Sequence, residues 1–444
     1  MTLQIQKHDR PPFPRLFQAY LRSNAALKTE MNRFFKDVRT IERMKRGPLG
    51  RYITLYGDQL HAQGYRRKSG RRKLQLAADF TRWLDRKKIV ANRVLAQHVG
   101  DYLRSRKRSG VGIHLGDRAA VIGFLKLLRE QRVTKKQIPQ PPVTPSQKLL
   151  SEYDLYLQKE RALSLATRIN YVPFVRQFLV SRFGRGRIDL SRLRAVDVLK
   201  FVRRTAGQLK NKRILLMTTA LRSFLRFARY RGEVTLDLAA CVPPVASWSL
   251  STIPKSLPSA QVEQVLAETH KRSTAGGRRD YAILLLLARL GLRSGEVCNL
   301  ALEDIDWENS RIAIRGKGKR VAQLPMPAEV GEAIAAYLKA ERPQRPGTRR
   351  LFLRVRAPLA GFKGSGSVGT VVRHALQRAR INSPRKGAHQ FRHTLASTML
   401  QNGSSLSEIG ELLRHRHPDT TAIYAKIDLH SLRSLALPWP GGAP

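Results

Sequence analysis

Apolar residues recur three and four positions apart through most of the first 240 residues, the spacing that lines one face of an α-helix. Two proline-rich stretches interrupt this pattern: Pro139, Pro141, Pro142 and Pro145 form one, and Pro243, Pro244, Pro254 and Pro258 bracket the other. Such stretches favour extended linkers. They predict three folded parts, residues 1–138, 146–242 and 256–444, the first two being small helical bundles.

The two helical parts share a pattern. Ala120-x-x-x-Phe124-Leu125-Lys126-x-x-Arg129 recurs as Ala220-x-x-x-Phe224-Leu225-Arg226-x-x-Arg229. Val99-x-x-Tyr102-Leu103-Arg104 recurs as Val198-x-x-Phe201-Val202-Arg203 at nearly the same offset. A duplicated domain accounts for both matches.

The third part mixes periods. Tyr281 to Arg289 reads as a helix and runs into Gly291-Leu292-Arg293-Ser294-Gly295-Glu296. Arg311 to Arg315 alternates as a strand does, Gly316-Lys317-Gly318-Lys319 makes a turn, and a second strand ends near Pro325. Helices are expected at Val368–Arg380, His389–Asn402 and Leu406–Arg414, a flexible loop at Gly361–Ser367, and a short apolar helix or strand at Leu429–Leu437. The fold class is mainly α, with a small β-hairpin inside the last, mixed part.

Charge narrows the partner. The 444 residues carry 83 Lys and Arg against 32 Asp and Glu, a formal charge of +51 spread along the whole chain. Self-repulsion on that scale calls for a polyanion, and nucleic acid is the obvious one. Basic clusters at Arg66, Arg67, Lys68, Arg71, Arg72 and Lys73, at Arg104, Arg106, Lys107 and Arg108, and at Lys210, Lys212 and Arg213 are candidate phosphate contacts. Cys241 and Cys298, far apart and outside any C-x-x-C pair, predict neither a disulfide framework nor a zinc site. The N-terminus lacks an apolar signal core, and the longest apolar run, Ala282 to Ala288, is far short of the ~20 residues of a membrane span. A cytoplasmic, nucleoid-associated protein without a membrane partner is expected.

His389-Gln390-Phe391-Arg392 places a histidine and an arginine three apart, hence on one helix face where both can meet one phosphate. Four segments in order, Gly291–Glu296, the hairpin Gly316-Lys317-Gly318, His389-Gln390-Phe391-Arg392-His393, and Leu413-Arg414-His415 followed nine residues later by Tyr424, resemble the tyrosine recombinases of the phage-integrase type. The resemblance covers the third part throughout, and the second part looks like the family's helical core-binding domain. It implies helical DNA-binding domains followed by a mostly helical catalytic domain.

The resemblance makes Tyr424 the nucleophile, giving a 3'-phosphotyrosyl bond and a free 5'-hydroxyl. Arg293 and Arg392 hold the non-bridging phosphate oxygens with planar, permanently charged forks. Lys317 is the general acid on the leaving 5'-oxygen, which requires a pKa below the usual ~10.4. His389 exchanges a proton with the tyrosine hydroxyl, and His415 donates a hydrogen bond to the phosphate. Glu296 reads as a group that orients Arg293, and Asp304 as structural. One departure stands out: the family has glycine where this chain has Arg414.

Religation needs no nucleotide, because the phosphotyrosyl link stores the energy of the broken phosphodiester, and the chain has no G-x-x-x-x-G-K-[ST] loop. No cofactor or metal is expected. The expected partner is a double-stranded DNA recombination site. With one nucleophile per chain and four strands to cut, a homo-tetramer of about four protomers is implied, with sister recombinases as further candidates. Leu429–Leu437 is a candidate docking segment for a neighbouring protomer, and the additional N-terminal part favours a mobile-element integrase. A type IB topoisomerase-like enzyme and a non-catalytic DNA-binding regulator are the alternatives.

Overall fold

The computed structural model describes residues 31–46, 49–134, 144–184, 186–246, 256–316, 321–340, 342–343 and 348–427. The chain divides into two units, residues 137–251 and residues 1–136 together with 252–444. Lys317 and the Leu429–Leu437 segment lie outside the described residues.

The 137–251 unit is built from helices Pro145–Lys159, Leu165–Phe183, Ala195–Ala206 and Asn211–Tyr230. Thr144 starts the first through a reciprocal bond with Gln147, and Pro145 occupies the first helical position, where its missing N–H costs nothing. Tyr153, Phe178, Phe201 and Phe224 meet in its core.

In the other unit, residues 31–134 form a separate core beneath helices Met31–Phe34, Val38–Lys45, Arg51–Ala62, Arg67–Arg86, Ala96–Arg108 and Asp117–Glu130. Residues 256–427 enclose another. Here the run Ala282–Leu287 is fully buried because its helix, Ala275–Arg289, is wrapped by helices Ser259–His270, Ala328–Ala340, Gly366–Arg378 and His389–Gln401. A helical run apolar on all sides belongs in such a place.

The predicted hairpin is present as β2 (Arg311–Arg315) and β3 (Val321–Pro325), antiparallel, with Ile312 opposite Leu324 and Ile314 opposite Ala322. Ile312 and Ile314 point into the core, while Arg311 and Arg315 face out, as a period of two requires. A two-residue strand, β1 (Ile305–Asp306), adds to the far side of β2; it is too short to leave a sequence pattern. The expected loop at Gly361–Ser367 ends earlier than predicted, since the following helix already begins at Gly366. Among the described residues, no helix is long and apolar enough to cross a membrane.

Candidate active site

Helix Ala275–Arg289 ends in a turn at Gly291, whose φ of +57° favours glycine. A Cβ there would sit 2.7 Å from Leu413 Cδ2 and 3.1 Å from Leu395 Cδ2. The turn delivers Arg293 to the N-cap of the short helix Ser294–Asn299. Glu296 reaches back, accepting from the Arg293 backbone N–H at 2.8 Å and from its Nη1 at 2.9 Å.

Glu296 is buried and also accepts from Arg414 Nη2 at 3.2 Å. Burial raises its pKa, but the Arg293 N–H and guanidinium, with Arg414, outweigh that and hold it below the ordinary carboxylate value. Arg414 takes the glycine position of the family with a left-handed φ of +55°. Its side chain turns inward, donating to Leu412 O at 3.0 Å as well as to Glu296.

Arg392, on helix His389–Gln401, is only 3% exposed. Its guanidinium donates to Gly291 O at 2.5 Å and to Leu413 O, tying the Arg293 turn to the segment that carries His415. Burial and the neighbouring Arg293 and Arg414 lower its pKa to about 10, which leaves it cationic at neutral pH. Two of its five N–H groups are thereby used.

Tyr424 lies in the 3-10 turn Ala422–Ile427, 1% exposed, packed with Ala396, Ile409 and Leu413. Its hydroxyl is 2.9 Å from Nδ1 of His393. The sequence pointed to His389 for this contact. His389 lies one turn earlier on the same helix, its ring centroid 6.3 Å from that of His393. Burial lowers the His393 pKa to about 4, and burial raises that of Tyr424 against the pull of Arg392 and Arg293. The His389 pKa is also lowered, by desolvation and then by Arg392 and Arg293.

His415 bonds through Nδ1 to Thr421 Oγ1 at 2.7 Å, with burial and then Arg392 and Arg293 lowering its pKa to about 4. So Arg293, Arg392, His389, His415 and Tyr424 surround one region, joined by His393, Glu296, Arg414 and Thr421. His393 was present in the His-x-x-Arg-His segment, four residues after His389, and that spacing is the signal that marks it. Asp304 is buried and accepts from Ala301 N and Arg315 Nη2, which pins β2 to the preceding turn.

The basic clusters are only partly free for a ligand. Arg72 is held by buried Asp117, Arg104 by Asp101, and Arg106 by Asp79 and the Tyr102 hydroxyl. Arg67 donates to Phe34 O, while Arg71, Lys73 and Arg213 lie over the rings of Phe35, Tyr65 and Phe174. Arg66, Lys68, Lys107, Arg108, Lys210 and Lys212 are exposed.

Residues 255–430 match the phage integrase family, and residues 150–232 match the phage integrase N-terminal SAM-like domain. Integrase/recombinase y4rA of Sinorhizobium fredii is 49% identical over 91% of this chain and 97% of its own length. Tyrosine recombinase XerD of Mycobacterium tuberculosis is 30% identical over 66% of this chain and 97% of its own. Among solved structures, the XerH recombinase bound to its difH substrate covers 64% of this chain and 83% of its own, at 19% identity and a TM-score of 0.53. The Tn1549 transposon integrase in complex with a circular intermediate DNA covers 65% and 99%, at 19% identity and a TM-score of 0.50. This chain therefore belongs to the phage integrase family and is a tyrosine-type site-specific DNA recombinase.

Proposed function

We propose that Tyr424 cuts one strand of a duplex recombination site and that Arg293 and Arg392 carry the charge that builds on the phosphate. The tyrosine oxygen bonds to phosphorus, its proton passes to a histidine, and the 5'-oxygen leaves with a proton from Lys317. The 3'-phosphotyrosyl product keeps the phosphodiester's energy, so reversal on a new 5'-hydroxyl rejoins DNA without a nucleotide.

The observation that carries this reading is the Tyr424 hydroxyl bonded to His393, with Arg392 and Arg293 near enough to favour its charged form. With the histidine's pKa depressed and the phenol's raised, both partners are neutral at rest. A phosphate anion raises the proton affinity of the histidine, and the arginines stabilise the developing phenolate. His393 is the first acceptor of the proton, with His389 one turn away at the exposed end of the helix. Because Tyr424 is buried, attack requires the Ala422–Ile427 turn to shift.

In this reading residues 1–138, 146–242 and 256–444 are an N-terminal helical domain, a core-binding domain and the catalytic domain. The exposed lysines and arginines of the basic clusters contact DNA phosphates. The enzyme works as a homo-tetramer on DNA, with or without sister recombinases, in the cytoplasm at the nucleoid, and serves a mobile element.

The test is a nicked duplex carrying the candidate site, from which the cleaved end diffuses away. A covalent protein-DNA adduct forms with the wild type and disappears in Tyr424→Phe. An adduct in both moves the nucleophile elsewhere.

A further inference from the structure

Residues 51–134 repeat the fold of residues 145–234, with several core contacts matched between them. The Tyr56 hydroxyl donates to Ala120 O at 2.8 Å, and the Tyr153 hydroxyl donates to Ala220 O at 3.3 Å. Tyr56 and Phe124 have ring centroids 5.4 Å apart, as do Tyr153 and Phe224. Phe80 meets Tyr102 at 5.3 Å, and Phe178 meets Phe201 at 5.2 Å. A 3-10 turn precedes the third helix in both, at Ala91–Arg93 and Leu190–Arg192. Both end in a left-handed residue, Arg132 and Gly232, after which Val133 N bonds Leu128 O and Glu233 N bonds Ala228 O. Packing of amphipathic helices alone does not demand a buried tyrosine on the same carbonyl in each copy. The second copy is the part matched to the SAM-like domain; the first lies outside that match.

The copies differ in what the shared framework displays. Against the first, helix Val38–Lys45 and its C-cap Arg46 close a cleft of about 830 Å³ lined by Arg43, Arg46, Arg72, Arg82, Arg106 and His114. The five guanidinium groups are opposed by two carboxylates, Asp79 paired with Arg82 and Arg106, and Asp117 paired with Arg72. Three positive charges are left over. The carboxylates fix three of the arginines in place, and Arg106 Nε is buried without a hydrogen-bond partner among the described residues. The ring pairs align Arg72, Arg82 and Arg106 with Asn170, Val180 and Thr205 of the second copy, so the fold itself does not need these arginines.

We propose that the chain carries two copies of the DNA-binding domain and that the arginine cleft the first forms with helix Val38–Lys45 binds the phosphate backbone of duplex DNA beyond the segment that is cut. The proposal rests on the recombinase reading for its choice of duplex DNA as occupant. A set of guanidinium groups, three of them fixed, with a surplus of three charges suits successive phosphodiesters, which they hold by position and without base readout.

The test uses the full chain and a long duplex of arbitrary sequence. Modification by an arginine-specific reagent, mapped by mass spectrometry, should be suppressed at Arg43 and Arg46 when the duplex is added. The variant Arg43→Glu/Arg46→Glu should lower the salt slope of binding by about 2, at ~0.9 per phosphate contact. Arg86→Glu/Lys87→Glu, the same charge change outside the cleft, should lower it less. If the double glutamate variant loses its helical circular dichroism, Arg43→Gln/Arg46→Gln carries the same test. Unchanged reactivity of Arg43 and Arg46, an unchanged slope, or protection by RNA or polyglutamate in place of the duplex would overturn the proposal. The phosphotyrosyl adduct on a short nicked duplex should keep its wild-type yield in the cleft variants. Absence of that adduct in the wild type would count against the recombinase mechanism and leave the cleft result standing.

Discussion

His393 Nδ1 and the Tyr424 hydroxyl lie 2.9 Å apart, across a junction between helix His389–Gln401 and the Ala422–Ile427 turn. The pair holds the proposed nucleophile in a hydrogen bond and, in the proposed reaction, supplies its proton acceptor before any DNA arrives.

Removing that acceptor should slow cleavage at the nucleophile. His393→Ala is expected to lower adduct formation on the order of 100-fold, and His393→Gln, which still accepts a hydrogen bond but takes no proton, should recover little. A substrate with sulfur at the 5'-bridging position leaves without protonation. It should rescue Lys317→Ala but not His393→Ala, and rescue of both would remove His393 from the proton path.

Stability should depend on pH through the half-buried histidines. His393 and His415 titrate near about 4 in the folded chain against an ordinary 6.5, so the unfolded chain binds more protons between those values. Their contribution is complete above pH 6.5 and is lost as pH falls toward 4. Thermal unfolding followed across that range should show Tm declining with acid, with a shallower decline in His393→Ala. Equal slopes would assign the acid sensitivity to other groups.

Arg392 is a structural bridge as well as the proposed phosphate ligand. Arg392→Ala strands the carbonyls of Gly291 and Leu413 in a buried setting, a loss of roughly 2–4 kcal/mol. Arg392→Lys keeps the charge but cannot span both carbonyls. Both variants should therefore unfold at lower denaturant than the wild type, with cleavage abolished in the first and strongly reduced in the second.

Gly291→Ala meets two penalties at once, the left-handed φ and the close approach of Leu413. A cost of about 1–3 kcal/mol is expected from the backbone strain. Because the turn aims Arg293, cleavage should fall by more than the stability loss explains. A variant with wild-type cleavage would show that the turn tolerates a side chain.

Arg414→Gly relaxes a left-handed residue but leaves Glu296 to Arg293 alone. The His415 pKa should then rise, because Arg414 is one of the cations that depress it, and the adduct yield should drop. Nuclear magnetic resonance titration of His415 separates this from a purely structural effect, which would leave the pKa in place.

Much of this was written in local sequence. The three- and four-residue spacing announced the helices, the alternation of Ile312 and Ile314 announced β2, and the order of Arg293, Lys317, His389, Arg392, His415 and Tyr424 announced the family. The repeat of Ala120–Arg129 at Ala220–Arg229 was visible too, since matched core positions must carry matched apolar residues.

Tertiary structure decided which groups meet. A helical face presents His389 and His393 alike, and only the docking of a turn 31 residues further on selects His393 for Tyr424. Arg414 looked like a misfit for a glycine, and its approach to Glu296, 118 residues away, gives it a charged partner. Likewise, Arg72 and Arg106 read as free charges until Asp117 and Asp79 closed on them. Local periodicity determines which side of an element is buried, because that depends on a residue and its near neighbours. Pairings across a core depend on how separate elements dock, and no local pattern records that.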